Sequence, residues 1–411
     1  MTSCSLLLYI DPGTGSMLIS VFIGVFASLW FLLKKLYIKF KYGFSFGRNK
    51  ITSISKDSDI IVFSDSKRYE TLFLPILKEL DKESVRIKYL TFDDDDPILS
   101  EKFINIKTKC IGKDNHAFSI LNTLSAHTVL STTPSLDVYQ WKRSKDVDRY
   151  VHILHEVGGA NEYRMFGLAF FDSVLLTGDF QIDEIREIEK LQHSKEKELV
   201  VVGSPYMDEL QIKYNNSHID EYNKKYILVA TTWGKNGLLS RYGEKLIDSL
   251  LKTDYNIIIR PHPQSLTSDK RVLDDLITKY NGSNKIKFNY DIDNFKVLDM
   301  SDIMISDYSG VIFDYSFVFN KPVLYIKSDI NNDINDSWFL DHEIYRYEAM
   351  RGLGHEINED DFDNIQMIID KTINSEKINK NSVIIRDTMW QNRGGAAKSV
   401  VDFLLNIKPN E

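Results

Sequence analysis

Cysteine is almost missing from this chain: Cys4 and Cys110 are the only two among 411 residues. That excludes a disulfide scaffold and every multi-cysteine zinc or iron–sulfur centre, and it suits a reducing compartment. Basic charge is scarce in the body of the sequence. Residues 1–50 carry six basic residues and one acid, Asp11, whereas the remaining 361 carry 45 basic and 58 acidic ones. A body that acidic has no basic stripe to neutralise phosphates, so nucleic acid is not expected as a partner. Gly-x-Gly-x-x-Gly and Walker-type loops do not occur, nor do Gly-x-Ser-x-Gly and His-Glu-x-x-His. Dinucleotide enzymes, P-loop NTPases, α/β-hydrolases and zincins therefore lose support. What is there is globular: 43% of residues are hydrophobic and 27% charged, and the length suggests two domains with an appendage.

The appendage is N-terminal. Met17–Leu33 reads MLISVFIGVFASLWFLL, without a charge. As a helix it would span about 26 Å, and Gly15, Ser16 and the stems of Lys34 and Lys35 extend it towards a hydrocarbon core of about 30 Å. A cleaved signal peptide would carry its positive charge before the apolar run. Here Lys34, Lys35, Lys39, Lys41, Arg48 and Lys50 follow it, which sets the C-terminal side in the cytoplasm. The expectation is a single-pass anchor in the cell membrane, through residues 17–33, with the catalytic part cytoplasmic. A buried core helix is the rival reading. Leu6–Ile10 is a second apolar patch, cut off by the turn-rich Asp11–Gly15.

From Asp59 onward short β-branched runs alternate with amphipathic segments, the pattern of parallel sheets with crossover helices. Strands are expected at Ile60–Phe63, Val85–Leu90, Ile104–Ile111, Thr128–Ser131, Tyr150–His155, Val174–Thr177 and Leu199–Val202. Helices are expected at Lys67–Leu80, Asn115–Leu124 and Gln181–Gln192. The polar stretch Gln211–Lys225 reads as a linker. Beyond it, strands are expected at Tyr226–Ala230, Asn256–Arg260, Lys285–Asn289, Ile303–Ser306 and Val323–Ile326, and helices at Glu244–Leu251, Val272–Lys279 and Val311–Phe319. The fold class is α/β, with two doubly wound domains: 51–220 and 221–411, after the anchor 1–50. Ligands bind at the carboxyl ends of such strands.

Four positions at strand ends carry plausible chemistry. Ser306-Asp307-Tyr308-Ser309-Gly310 follows an apolar strand and opens a helix that contains Asp314. The turn suits a phosphate at the helix N-terminus, and it equally suits a plain N-cap. Arg260-Pro261-His262-Pro263 fixes a guanidinium and an imidazole at another strand end, where both could hold a diphosphate; a solvated proline turn is the alternative. His152 and His155 end a third strand. Three residues apart, they would point to opposite faces and could not share one metal ion. His155, nearest the Gly158-Gly159 turn, is the better general base, and His152 the better structural histidine. Asp93–Asp96 could invite a metal, but Pro97 suggests that Asp96 caps a helix of which Pro97 is the first residue. No metal and no cofactor are assigned.

Together these segments resemble the CDP-glycerol glycerophosphotransferase family of teichoic-acid-type enzymes, over roughly Ile60 to Leu405. Ser306–Asp314 looks like the family's Ser-Asp-x-Ser-Ser-x-x-x-Asp, Arg260–Pro263 like its Arg-x-His-Pro, and Gly203–Asp208 like its Gly-x-Pro-x-x-Asp. Gly310 stands where the family commonly has a second serine. The acceptor-side His-Gly-Thr-Pro reads His155-Glu156-Val157-Gly158 here, and the loop Thr231–Gly237 is also unlike the family text. The resemblance implies a GT-B arrangement of two Rossmann-like domains, the nucleotide held mainly by the second. It also implies a C-terminal helix, Gly395–Leu405, packed back on the first.

The function expected on this basis is transfer of glycerol phosphate, or a related polyol phosphate, from a CDP-activated donor to a hydroxyl of a lipid-linked cell-envelope polymer precursor, releasing CMP. His155 and His262 would be catalytic. Arg260, Ser306, Asp307, Ser309, Gly310, Asp314 and Thr232 would hold the donor phosphates and nucleotide. Two alternatives stand beside it: a GT-B glycosyltransferase using a sugar nucleotide for capsule or surface polysaccharide, and a non-catalytic, membrane-tethered nucleotide-binding subunit.

Overall fold

The computed structural model describes residues 60–217, 225–291, 293–326 and 335–407, all within the compact unit Lys56–Glu411. The expected anchor Met17–Leu33 lies outside the described residues. Among the described residues no helix is long and apolar enough to cross a membrane.

Seven strands make the first sheet: β1 (Ile60–Ser64), β2 (Ile87–Thr91), β3 (Ile106–Cys110), β4 (Ser125–Ser131), β5 (Asp146–Ile153), β6 (Ser173–Leu176) and β7 (Glu198–Val201). Their order is β3-β2-β1-β4-β5-β6-β7, parallel throughout. Six more make the second: β8 (Tyr226–Ala230), β9 (Asn256–Arg260), β10 (Ile286–Phe288), β11 (Ile303–Ser306), β12 (Val323–Tyr325) and β13 (Gly354–Glu356). They run β10-β9-β8-β11-β12-β13, again all parallel. Both orders reverse beside the first strand of their sheet, between β1 and β4 and between β8 and β11. Those are the switch points at which doubly wound sheets bind ligands.

Helices cover both faces, so the central strands are apolar on both. Ile227, Val229, Ile257, Ile259, Ile303 and Ile305 pack to one side of the second sheet, and Leu228, Ala230, Ile258 and Met304 to the other. Each Ile, Val, Leu or Met side chain among them that is removed from water contributes about 1.5–3 kcal/mol.

Several expected boundaries move. β5 ends at Ile153, not at His155, so His155 sits in the following loop. The expected linker from Gln211 is helical to Asn216: the helix Pro205–Asn216 starts on a Ser204 cap, and Met207 and Leu210 bury its inner side. Its outer face is polar because it meets water. Asp96 does cap a short 3₁₀ turn, Pro97–Ser100, accepting Ile98 N–H at 3.0 Å and Tyr89 O–H at 2.7 Å. Asp93 pairs with Lys113 and Asp95 with Lys67.

The chain closes by returning to its first sheet. Val400, Val401 and Leu404 of the helix Ala396–Asn406 join the core of Val62 and Phe73. Gly203 permits this closure: its φ is +90°, and a Cβ there would stand 2.6 Å from the Gln391 carbonyl oxygen. Asp208 then fastens the return, accepting Trp390 Nε1–H at 3.1 Å and Ala396 N–H at 3.1 Å.

Candidate active site

A cleft of about 550 Å³ opens between the carboxyl ends of the two sheets. The first half lines it with Arg68, Tyr69, His155 and Glu156. The second half supplies Thr232, Trp233, His262, Tyr308, Ser309, Gly310, Asp314 and Arg346. The two expected histidines thus meet at one cavity, from opposite halves.

His155 is held on three sides. Its Nδ1 lies 3.0 Å from Thr132 Oγ1, beyond the end of β4, and Tyr69 packs edge-on with ring centroids 4.9 Å apart. Its Nε2 lies 3.7 Å from Glu156 Oε1. Burial pushes the His155 imidazole below its ordinary value, partly opposed by the Glu156 carboxylate. A lowered imidazole is neutral at pH 7 and can take a proton. His152 is fully buried and its ring packs on Tyr163 and Phe171. Because β5 stops at Ile153, strand alternation does not separate the two histidines as expected: His155 also approaches Tyr163, at 6.3 Å between ring centroids.

His262 follows β9 on the Pro261–Pro263 frame. Gln264 N–H donates to its Nδ1 at 3.1 Å, which leaves the proton of the neutral ring on Nε2. Burial lowers this imidazole too, and Arg68 across the cleft adds to the effect.

The Ser306–Asp314 segment divides into an inward and an outward part. Ser306 is fully buried and donates its hydroxyl to Ala230 O at 2.5 Å. Asp307, also fully buried, accepts Thr232 N–H at 2.9 Å, Thr232 Oγ1–H at 2.8 Å and Leu238 N–H at 3.1 Å. Burial raises its carboxyl, and these donors pull it back. Both residues build the turn and leave the cleft to their neighbours. Ser309, Gly310 and Asp314 do face it, around the N-terminal end of the helix Val311–Val318. Tyr206 O–H donates to Asp314 Oδ2 at 2.8 Å, and burial pushes the Asp314 carboxyl up to about 7, with Glu156 adding to the rise.

Arg260 does not line the cleft. Its guanidinium, half-buried at the end of β9, donates to Asn289 Oδ1. Among the described residues, the cations that do reach the cleft are Arg68 and Arg346, for which no sequence motif spoke. Arg68 donates to Tyr69 O–H at 2.5 Å beside His155. Arg346, 6% exposed, comes from the helix Tyr345–Leu353 and ties the halves together: Nε to Glu162 Oε2 at 2.5 Å and one terminal nitrogen to Tyr308 O at 2.9 Å. Among the described residues no three His, Cys, Asp or Glu side chains gather as a metal site.

Against known proteins, one stretch of the chain decides the comparison. Residues 183–348 match the CDP-glycerol:poly(glycerophosphate) glycerophosphotransferase family. That span includes Thr232, Arg260, His262 and Ser306–Asp314, and stops short of His155. The teichoic acid glycerol-phosphate primase of Bacillus subtilis (strain 168) is 29% identical over 145 residues, which is 33% of this chain. The match spans only 35% of the length of the primase. The wall teichoic acid polymerase TagF has a similar fold at 15% identity, with a TM-score of 0.56 over 94% of this chain and 97% of that one. So does the UDP-GlcNAc 2-epimerase of Methanocaldococcus jannaschii, with a TM-score of 0.59 at 12% identity over 84% of this chain and 99% of that one. At such identities the likeness concerns the fold: two Rossmann-like sheets in a GT-B-like arrangement.

Proposed function

We propose that the protein is a glycerophosphotransferase that moves glycerol phosphate, or a related polyol phosphate, from a CDP-activated donor to an acceptor hydroxyl. One observation carries the reading: His155 from the first half and His262 from the second line a single cleft beside the N-terminus of the helix Val311–Val318. The family match over residues 183–348 supports the choice of donor. The division of labour follows the two sheets, with an acceptor domain at 51–220 and a donor domain at 221–411.

In this reading Nδ1, 3.0 Å from Thr132 Oγ1, carries the proton of the neutral His155 ring, and the basic lone pair is on Nε2. There it takes the proton as the acceptor oxygen attacks the distal phosphorus of the donor. The bond from that phosphorus to the oxygen of CMP breaks, and CMP leaves. Nε2–H of His262 and the backbone N–H groups around Ser309 and Gly310 offset the charge of the phosphates. Arg260, Ser306 and Asp307 act one layer back, by fixing the strand ends that carry these groups. The acceptor is lipid-linked and the enzyme works at the cytoplasmic face of the cell membrane, anchored by residues 17–33; the uncharged Met17–Leu33 run with its trailing lysines supports that topology.

The test is a donor panel with the full chain and membrane extract. CDP-glycerol or another CDP-polyol should be consumed with release of CMP, and UDP-sugars should not. Release of UDP instead would favour a glycosyltransferase, and nucleotide binding without turnover a binding subunit. A reporter fused after Glu411 should be active only in the cytoplasm.

A further inference from the structure

Arg68 and Arg346 both line the cleft, but their surroundings differ. Arg346 is fully engaged. Glu162 accepts its Nε–H, Tyr308 O accepts from one terminal nitrogen at 2.9 Å, and Glu156 lies 3.7 Å from the other. Two carboxylates thus match its charge. Arg68 has no such match: among the described residues its guanidinium donates only to Tyr69 O–H and forms no ion pair. Burial raises the carboxyl of Asp65, just beyond β1, and the Arg68 charge opposes that rise, yet the two do not pair.

The backbone beneath Arg68 is pinned. It lies in the 3₁₀ turn Lys67–Tyr69, where the Ser66 hydroxyl accepts Arg68 N–H at 3.4 Å and Lys67 N–H donates to Asp93 Oδ2 at 2.7 Å. The buried Tyr69 links Arg68 to the proposed base. The guanidinium carbon lies 4.6 Å from the centroid of its ring, and the same ring meets His155 edge-on. A guanidinium resting on an aromatic ring keeps its charge and most of its N–H donors for another partner. Burial lowers the imidazoles of His155 and His262, and the Arg68 charge lowers both further, so it bears on both sides of the cleft.

A phosphoryl group in transfer spreads negative charge over its three equatorial oxygens. Here it would also meet the acids Glu156, Glu162 and Asp314. The groups placed on the CMP side, His262 and the helix N-terminus, are a neutral donor and backbone N–H groups. We propose that Arg68 is a catalytic residue of the transfer. Its guanidinium, supplied by the first half, holds the equatorial oxygens of the distal phosphoryl group. Meanwhile the acceptor oxygen bonds to that phosphorus, the bond to the CMP oxygen breaks, and the acceptor proton passes to His155. The assignment rests on the donor reading above. The phosphate of CMP, held by the second half, stays outside the reach of Arg68.

CDP carries the distal phosphoryl group and CMP lacks it, so the pair isolates the contact without turnover. In equilibrium titrations of the full chain, Arg68→Ala should weaken CDP by about tenfold to hundredfold, the worth of one hydrogen bond to a charged group, and leave CMP unchanged. Arg68→Lys, which keeps the charge and loses the fork, should fall between. With a CDP-activated donor, Arg68→Ala should lower turnover by about 10²–10³, and added ethylguanidinium should restore part of it. Unchanged CMP affinity reports that the variant is folded, and Arg68→Gln repeats the comparison with a longer stem. Equal losses for CDP and CMP overturn the proposal, as do no loss for either and full turnover in Arg68→Ala. A wild type that consumes no CDP-activated donor, yet loses affinity for CDP alone when Arg68 is replaced, would sink the transferase and leave the phosphate contact standing. Turnover that ignores Arg68 would do the reverse.

Discussion

The Glu156 carboxylate lies over Gly310, so close that a Cβ on the glycine would stand 3.0 Å from Glu156 Oε2. A side chain of the first half thus places negative charge at the N-terminus of the helix Val311–Val318, where the proposed donor brings its own. Arg346 lies 3.7 Å from the same carboxylate. A donor phosphate must displace Glu156 or share the site with it against charge repulsion.

Glu156→Gln should therefore tighten CMP and donor binding. A charge near a helix terminus is worth about 0.3–1 kcal/mol when exposed, which corresponds to roughly a two- to fivefold gain in affinity. Calorimetric titration checks it, and weaker binding would show that Glu156 helps the donor.

His155→Ala should lower turnover by about 10²–10⁴ with donor affinity nearly intact, as expected for loss of a general base. The pH profile carries an independent mark. Because burial lowers this imidazole, the acidic limb of turnover should fall below pH 6.5, the ordinary imidazole value. A limb above that value would contradict the buried base.

Ser306→Ala and His262→Ala should separate stability from binding. The serine change leaves Ala230 O buried without its donor, at a cost of about 1–3 kcal/mol, and should appear as a lower unfolding midpoint. The histidine change removes a cleft-lining group and should weaken donor affinity in a chain of near-normal stability. Denaturation curves beside nucleotide titrations decide; the opposite pattern would reverse the two roles.

His152 makes a pH prediction about the fold. Burial holds its imidazole well below 6.5, with the nearby His155 adding to the effect. The unfolded chain binds a proton there below pH 6.5 and the folded chain does not. Stability should therefore fall as pH drops from about 6.5 towards the folded value, by up to about 1.4 kcal/mol per pH unit for one group. His155 and His262 shift the same way, so the test is a difference: urea denaturation between pH 7 and pH 5 should lose less stability in His152→Gln than in wild type.

The sequence alone determined the strands whose apolar runs are long and sharply bounded. Tyr226–Ala230, Asn256–Arg260 and Ile303–Ser306 are read to the residue, because β-branched patterning and the flanking turn residues are local signals. It also brought forward His155, His262, Ser309 and Gly310, since histidines and a Ser/Gly turn at strand ends are visible without a fold. β13 escaped: His355 and Glu356 are exposed, and only pairing with β12 makes this segment a strand. The inner half of the site escaped for a related reason. Whether a strand-end side chain faces the cleft or its own turn depends on hydrogen-bond partners far away in sequence, which turned Ser306 to Ala230, Asp307 to Thr232 and Arg260 to Asn289. Arg346 reaches Glu162 only because two separately built sheets face each other. Periodicity sets what each segment is. Which charges meet across a cleft is settled only when the segments pack, because a desolvated charge must find its partner in space.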